Sequence, residues 1–237
     1  PKPEANKAKA DESKKAKVPV QCRVYDYKDE AKCDMHMATF EHCIKSVHAV
    51  SPTGFAAIKV TALGNPTLLE ALSNTIVQFR KLFEEFDKEK TGYVTREQFK
   101  AGYEKYFSGG DVEQIFKTFD DDNNNRVDYV EWTNAIAPED LSALTAHCRS
   151  AGPLASATLS EEEKKLVKRM RQRTESLAAL AESLGVRIMI DAEHTYFQPA
   201  IDNITYNLSK KFNKKYPVVF GTYQMYLKDS KHRLFTD

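Results

Sequence analysis

No stretch of the 237-residue chain reaches the ~18 consecutive apolar residues that a membrane-spanning helix requires. An excess of one charge is equally lacking. Lys and Arg total 35 against 34 Asp and Glu, and a net charge of +1 excludes the basic footprint of a nucleic-acid binder. Four cysteines (Cys22, Cys33, Cys43 and Cys148) are too widely spaced to form a disulfide framework, which points to a reducing compartment. Residues 1–17 contain no aromatic and no β-branched side chain, and six lysines against three acids give them +3. Such a segment cannot bury enough apolar surface to offset its ordering entropy, so 1–19 is expected to be a disordered tail. It lacks arginine and an initiator Met and is a poor match to a whole transit peptide; of the two remaining readings, the segment following one or a solvated linker, composition favours the linker.

The rest of the chain is globular in composition, with enough apolar residues for one sizeable core or two small ones. Met35, Met37, Phe40, Ile44 and Val47 recur at two to four residues and predict a helix over about 30–47. The β-branched run through Ile58, Val60 and Thr61 predicts a strand over 55–63. Asn65-Pro66 opens a long helix whose apolar face runs from Leu68 to Phe86. Ser160 and Glu163 form a capping box, and Gly185 supplies a C-cap for the helix between them. Strands at 186–190 and 217–220 flank a third helix over about 199–212, the rhythm of parallel βα crossovers. The Ala, Ser, Gly and Pro content of 138–158 marks a join between modules.

Residues 120–131 fit a twelve-residue calcium loop. Calcium takes six to eight hard oxygens, which such a loop supplies at alternate positions. Asp120, Asp122 and Asn124 fill the first, third and fifth places, Arg126 offers its carbonyl, Asp128 the ninth oxygen and Glu131 a bidentate carboxylate. Asn125 stands where glycine is usual, and Val127 where paired loops exchange a short β-bridge. Phe116 and Phe119 before the loop, with Tyr129, Trp132 and Ile136 around its end, supply the apolar face of its flanking helices. A partner loop starts 33 residues upstream at Asp87, with Gly92 sixth and Val94 eighth, but it ends in Gln98. Without the bidentate acid this first hand reads as structural. The pair falls between strand 55–63 and helix 160–184, as an insertion in a βα pattern.

The flanking segments carry specific runs: Asp191-Ala-Glu-His-Thr-Tyr-Phe-Gln-Pro199 and Thr222-Tyr-Gln-Met-Tyr-Leu-Lys228, with Ala57 to Leu63 upstream. In them the chain resembles the proline dehydrogenase family of the eukaryotic, mitochondrial type over most of residues 20–237. The resemblance implies an α/β fold, a (βα)₈ TIM-type barrel of which this chain holds the first three strands, with the EF-hand pair inserted as an α-helical unit. It divides the chain into the tail, a helix and first strand over 20–64, an EF-hand-like insert over 65–158, and later strands and helices over 159–237. It further implies FAD as cofactor, L-proline oxidised to Δ1-pyrroline-5-carboxylate, and ubiquinone as acceptor at the matrix side of the mitochondrial inner membrane. Lys59 is similar to the family's substrate-carboxylate lysine and Asp191 to its active-site aspartate, while Ala192 offers backbone to the flavin. At Gly221, where bacterial relatives often carry Gln, only backbone could serve.

Alternation along the strands agrees with that placement, setting Lys59 and Asp191 at adjacent strand ends, where a buried lysine needs a counter-charge and Asp191 is the one at hand. On the residues alone, a structural ion pair and a catalytic pair are equally good readings. The family's remaining flavin and carboxylate arginines would lie past Asp237, so the chain is expected to be an incomplete part, inactive alone because a barrel takes ~250 residues to close. The alternative is a calcium-binding regulatory or structural module without enzyme activity. Cys33, His36 and Cys43 share a helical face, but zinc wants a fourth ligand and none is evident, so apolar packing explains them better.

Overall fold

The computed structural model describes residues 27–51, 53–135, 147, 149, 154 and 159–236. The expected tail, Cys22, Ile136, Cys148 and most of the 138–158 join lie outside the described residues. Helix α1 (Glu30–Val50) starts where the Asp29 side chain accepts from the Lys32 amide at 2.8 Å, and it buries Cys33, Phe40 and Ile44. Strand β1 (Phe55–Ile58) follows. The predicted strand to Leu63 is too long, because Val60–Ala62 coil into a 3₁₀ turn closed by Ala62 and Leu63 amides on the Lys59 and Val60 carbonyls. The reason lies in burial. Val60, Ala62 and Leu63 are all 2% exposed or less, and an alternating strand cannot turn the neighbours Ala62 and Leu63 to one side.

Helix α2 (Pro66–Phe86) opens with Asn65 capping the Thr67 amide and with Pro66 in the first turn, where its missing N–H costs nothing. Next come β2 (Tyr93–Thr95), α3 (Arg96–Tyr106), α4 (Val112–Phe119), β3 (Arg126–Asp128) and α5 (Tyr129–Ala135). Helix α6 (Glu161–Leu184) carries the Ser160–Glu163 capping box and stops at Gly185, whose φ of 68° suits glycine. Then follow β4 (Arg187–Ile190), α7 (Gln198–Phe212), β5 (Val219–Phe220) and α8 (Ser230–Thr236), the last of which had no counterpart in the sequence reading.

The strands form a parallel sheet ordered β1-β4-β5, with Ile58 opposite Ile190 and Met189 opposite Phe220, so the fold is α/β as expected. A separate antiparallel pair joins β2 to β3 and sets Val94 opposite Val127, the short bridge expected between paired loops. Two apolar cores result. Ala56, Ile58, Ile188 and Ile190 turn to the helices, where they meet Leu69, Leu72, Leu177 and Ile201. The second core is aromatic and centres on Trp132, whose ring lies 4.8 Å from both Phe79 and Phe119 and whose Nε1 donates to the Phe79 carbonyl at 2.9 Å. Helix α2 runs through both, giving Leu68, Leu69, Leu72 and Ile76 to the first core and Phe79, Leu82, Phe83 and Phe86 to the second.

Arg173 on α6 clamps the first core to α1. Its side chain is 7% exposed and donates to Glu30 Oε2 at 2.8 Å, to the Leu63 carbonyl at 3.0 Å and to Asp34 Oδ1 at 2.8 Å. Asp34 is largely exposed and adds little, but Glu30 and the Leu63 carbonyl would lose a buried donor. Arg173→Ala should therefore lower stability by about 3–5 kcal/mol in chemical denaturation. Arg173→Lys should recover only part, since one ammonium cannot reproduce the planar fork. Equal midpoints for Arg173→Ala and the parent would show that the clamp is not what holds α1 in place.

Candidate functional site

Because all three strands run the same way, their carboxyl ends share one edge. The Asp191 amide donates to the Ile58 carbonyl at 3.0 Å, so Lys59 and Asp191 are the first residues past the paired segment on neighbouring strands. Both are half-buried, and among the described residues no ion pair joins them. That corrects the counter-charge expectation, which assumed a buried lysine: Lys59 is only half-buried, and a lysine that reaches solvent needs no carboxylate partner. Ala192 is half-buried beside Asp191, and Gly221 is exposed at the end of β5. A Cβ at position 221 would sit 3.2 Å from Thr205 Cγ2, so the bare backbone is what fits closest to α7 there.

Residues that the sequence reading passed over tie this edge together. Glu193 Oε2 accepts from Thr61 Oγ1 at 2.7 Å and its Oε1 from the Thr61 amide at 3.3 Å. Thr61 thus faces Glu193 from the 3₁₀ turn rather than standing in a strand. The Glu193 amide donates to Gln198 Oε1 at 2.9 Å, and Gln198 Nε2 donates to Asp202 Oδ1 at 2.8 Å. Arg233 on α8 pairs with the other Asp202 oxygen. Glu193 and Gln198 both stand in the Asp-Ala-Glu-x-Thr-Tyr-x-Gln-Pro run, which was the signal available. A cavity of about 380 Å³ opens beside this edge, lined by Ile190, Gln198, Thr205 and Gly221 on one side and Arg80 and Thr133 on the other.

The loop at 120–131 folds around its own acids. The carboxylates of Asp120, Asp122 and Glu131 bring one oxygen each within 4.8 Å of the others, a set that could hold a metal ion. Asp120 is buried, and its two oxygens accept from the Asn124 and Asn125 amides at 2.9 and 3.1 Å. Asn125 adopts φ 63°, the left-handed backbone expected where glycine is usual. Asn124 Oδ1 accepts from the Arg126 amide at 2.8 Å, and Asp128 Oδ1 from the Glu131 amide at 2.8 Å, so these two oxygens are engaged within the loop. In the upstream loop Asp87 is wrapped similarly by Thr91 and Gly92, but Gln98 closes a capping box with Thr95.

A model of the proline dehydrogenase family matches residues 95–236, which include β4, α7, β5 and the strand-edge residues from Asp191 to Gly221. The chain belongs to the proline dehydrogenase family. An EF-hand domain model matches residues 78–109, the upstream hand. Proline dehydrogenase 1, mitochondrial, of Bos taurus is 36% identical over 232 residues, 91% of this chain and 39% of that protein. Its namesake in Drosophila melanogaster is 32% identical over 238 residues, 91% of this chain and 35% of that protein. The chain thus spans about two-fifths of the length of the curated relatives it matches. No solved structure matches it significantly. No described helix is long and apolar enough to cross a membrane.

The cysteine and histidine face of α1 serves packing within this family member. His36 Nδ1 bonds the Ala62 carbonyl at 2.9 Å, and Cys33 is 1% exposed. Burial, with the Glu30 carboxylate beside it, pushes the Cys33 thiol up to about 11. The nucleophilic thiolate is therefore scarce at Cys33 until the pH nears that value, whereas Cys43 is half-buried at the helix surface. Iodoacetamide at pH 8 should label Cys43 and spare Cys33, read by fragment-level mass spectrometry of the folded protein. Equal labelling of the two would show that α1 opens readily.

Proposed function

We propose that the protein is an FAD-dependent proline dehydrogenase, oxidising L-proline to Δ1-pyrroline-5-carboxylate and passing electrons to ubiquinone at the matrix side of the mitochondrial inner membrane. The observation that carries this is the parallel order β1-β4-β5, which sets Lys59, Asp191, Ala192 and Gly221 along one sheet edge in a chain of this family. Supporting the barrel reading, the sheet face away from the helices exposes large apolar side chains: Phe55 is 43% and Met189 36% exposed, with the Phe55 and Phe220 rings 5.2 Å apart and the Arg187 guanidinium 5.6 Å from the Phe55 ring. Such a row suits a barrel interior, filled by side chains from further strands.

At that edge Lys59 would hold the proline carboxylate, the residue being half-buried and outside any ion pair among the described residues. Asp191 would stand across from it as the active-site aspartate. Ala192 and Gly221 would present backbone to the flavin, and the bareness of Gly221 fits that role because no side chain shields its peptide. FAD, when bound, supplies the hydride acceptor. In the full-length natural protein, Lys59→Ala should raise the proline KM by about 10- to 100-fold, the worth of a charge-assisted bond. Lys59→Arg should not restore it, because a fork cannot replace a point charge in a tight site. Unchanged kinetics would remove Lys59 from the site.

A second reading rests on the convergence of Asp120, Asp122 and Glu131: the EF-hand pair binds one calcium ion at 120–131, with Asn124, the Arg126 carbonyl and Asp128 completing the shell. The upstream hand then acts as a scaffold. Glu131→Gln should weaken calcium binding by an order of magnitude or more, while Glu97→Gln, outside the ligand positions, should leave it intact. Because Trp132 adjoins Glu131 and is packed in the aromatic core, its fluorescence should report the same titration. Calcium at a hundredfold its Kd would add about 2.7 kcal/mol to the stability of the whole chain. Identical calorimetric titrations for the two variants would overturn the ligand assignment.

A further inference from the structure

No ion pair joins Lys59 to Asp191 among the described residues, and the strand ladder, through the Asp191 amide on the Ile58 carbonyl, spaces their backbones but leaves their side-chain directions to other contacts. Beyond that bond, the next ties across the strand edge lie two residues further on in each segment. There the Glu193 carboxylate holds both the amide and the hydroxyl of Thr61. Glu193 would swing freely on the turn after β4 if its own backbone were not fixed, and the group that fixes it is Gln198, which accepts from the Glu193 amide. Gln198 is 4% exposed, so its amide can find no substitute partner in water. Its Nε2 in turn donates to Asp202, which places the two amide atoms unambiguously. The reverse orientation would set N–H against N–H at Glu193 and oxygen against oxygen at Asp202. Asp202 is anchored by Arg233 from α8.

We infer that Gln198 is a positioning residue for the candidate active site: through Glu193 and Thr61 it holds together the segments that leave β1 and β4 just past Lys59 and Asp191, and through Asp202 it ties them to α8. This rests on the proline dehydrogenase reading for its catalytic consequence, but the bridge itself is a property of the fold. Three features make the bridge more than ordinary packing. It links the segments that follow two strands, each end is a directional hydrogen bond shorter than 3 Å, and every polar atom of the Gln198 side chain's amide group is engaged along it. A misplacement of about 1 Å at a reacting pair can cost about a hundredfold in rate, so a bridge of this length has kinetic weight.

The test uses two variants and two readouts. Gln198→Met keeps the volume and removes both bonds; Thr61→Val keeps the shape and removes the hydroxyl at the far end. Amide exchange followed by mass spectrometry on the chain itself should show faster exchange in 191–193 and, for Gln198→Met, also in 59–63, which Gln198 does not touch. The double variant Gln198→Glu with Asp202→Asn rebuilds the bridge with donor and acceptor exchanged between 198 and 202, and should restore that protection. In the flavin-loaded full-length protein, kcat/KM for proline per bound flavin should fall by about 10- to 100-fold in both single variants at temperatures well below melting. A merely structural role would lower the melting temperature without moving either readout. Unchanged exchange at 59–63, or kcat/KM within twofold of the parent, overturns the inference. If the parent turns over no proline, the functional reading fails instead, and the exchange result still decides the bridge.

Discussion

Helix α2 is the constraint on which both halves of the structure depend. At 21 residues it spans roughly 30 Å, enough to leave one core and enter another without a break. Its first turns pack Leu68, Leu69, Leu72 and Ile76 among the βα elements, and its last turns give Phe79, Leu82, Phe83 and Phe86 to the EF-hand core. The Trp132 indole bonds the Phe79 carbonyl at the change-over, so the calcium-loop unit grips the helix at mid-length as well as at its end. A helix propagates cooperatively, and fraying at one end is resisted by packing at the other. The insert is therefore not a module on a flexible tether. Ordering one core lowers the entropy still to be lost by the next.

The two loops show how little separates a scaffold from a candidate ion site. Both begin with a buried Asp, both hold their turns by amides on that Asp, and both pass through left-handed residues, Gly92 in one and Asn125 in the other. They diverge at the twelfth position. Gln98 is neutral and closes a capping box, whereas Glu131 accepts from the Asp121 and Asp128 amides while bringing a charged oxygen near Asp120 and Asp122. Three carboxylates with oxygens within 4.8 Å of one another favour a cation between them, which makes this loop rather than the upstream one the candidate for an ion. The EF-hand family match falls on the upstream hand, so pattern and charge single out different members of the pair.

What was legible in the sequence was local. Asn65-Pro66, Ser160 with Glu163, and Gly185 mark helix ends because capping is decided within four residues, and each is found with its expected bond or backbone angle. The candidate calcium loop was legible for the same reason, its converging acidic side chains lying within twelve residues. The β-branched run from Ile58 to Thr61 misled because such residues favour strands only where alternation can be kept. With Val60, Ala62 and Leu63 all needing burial, tertiary packing overrode propensity and drew the chain into a 3₁₀ turn.

The candidate site was legible as a location and not as a set of contacts. Parallel strand order follows from alternating helices and strands, and it delivers Lys59 and Asp191 to one edge without any knowledge of side chains. Which groups meet there is another matter. The Thr61–Glu193 bond crosses 132 residues of chain, including the whole EF-hand pair, and no spacing rule reaches so far. Charge matching suggested Lys59 with Asp191, but opposite charges attract usefully only where water is excluded, and both are half-solvated. The bonds that do form there join a carboxylate to a hydroxyl and to an amide, and an amide to a buried Gln. These are groups whose desolvation must be matched by a partner, and that requirement, rather than net charge, selects the contacts at this edge.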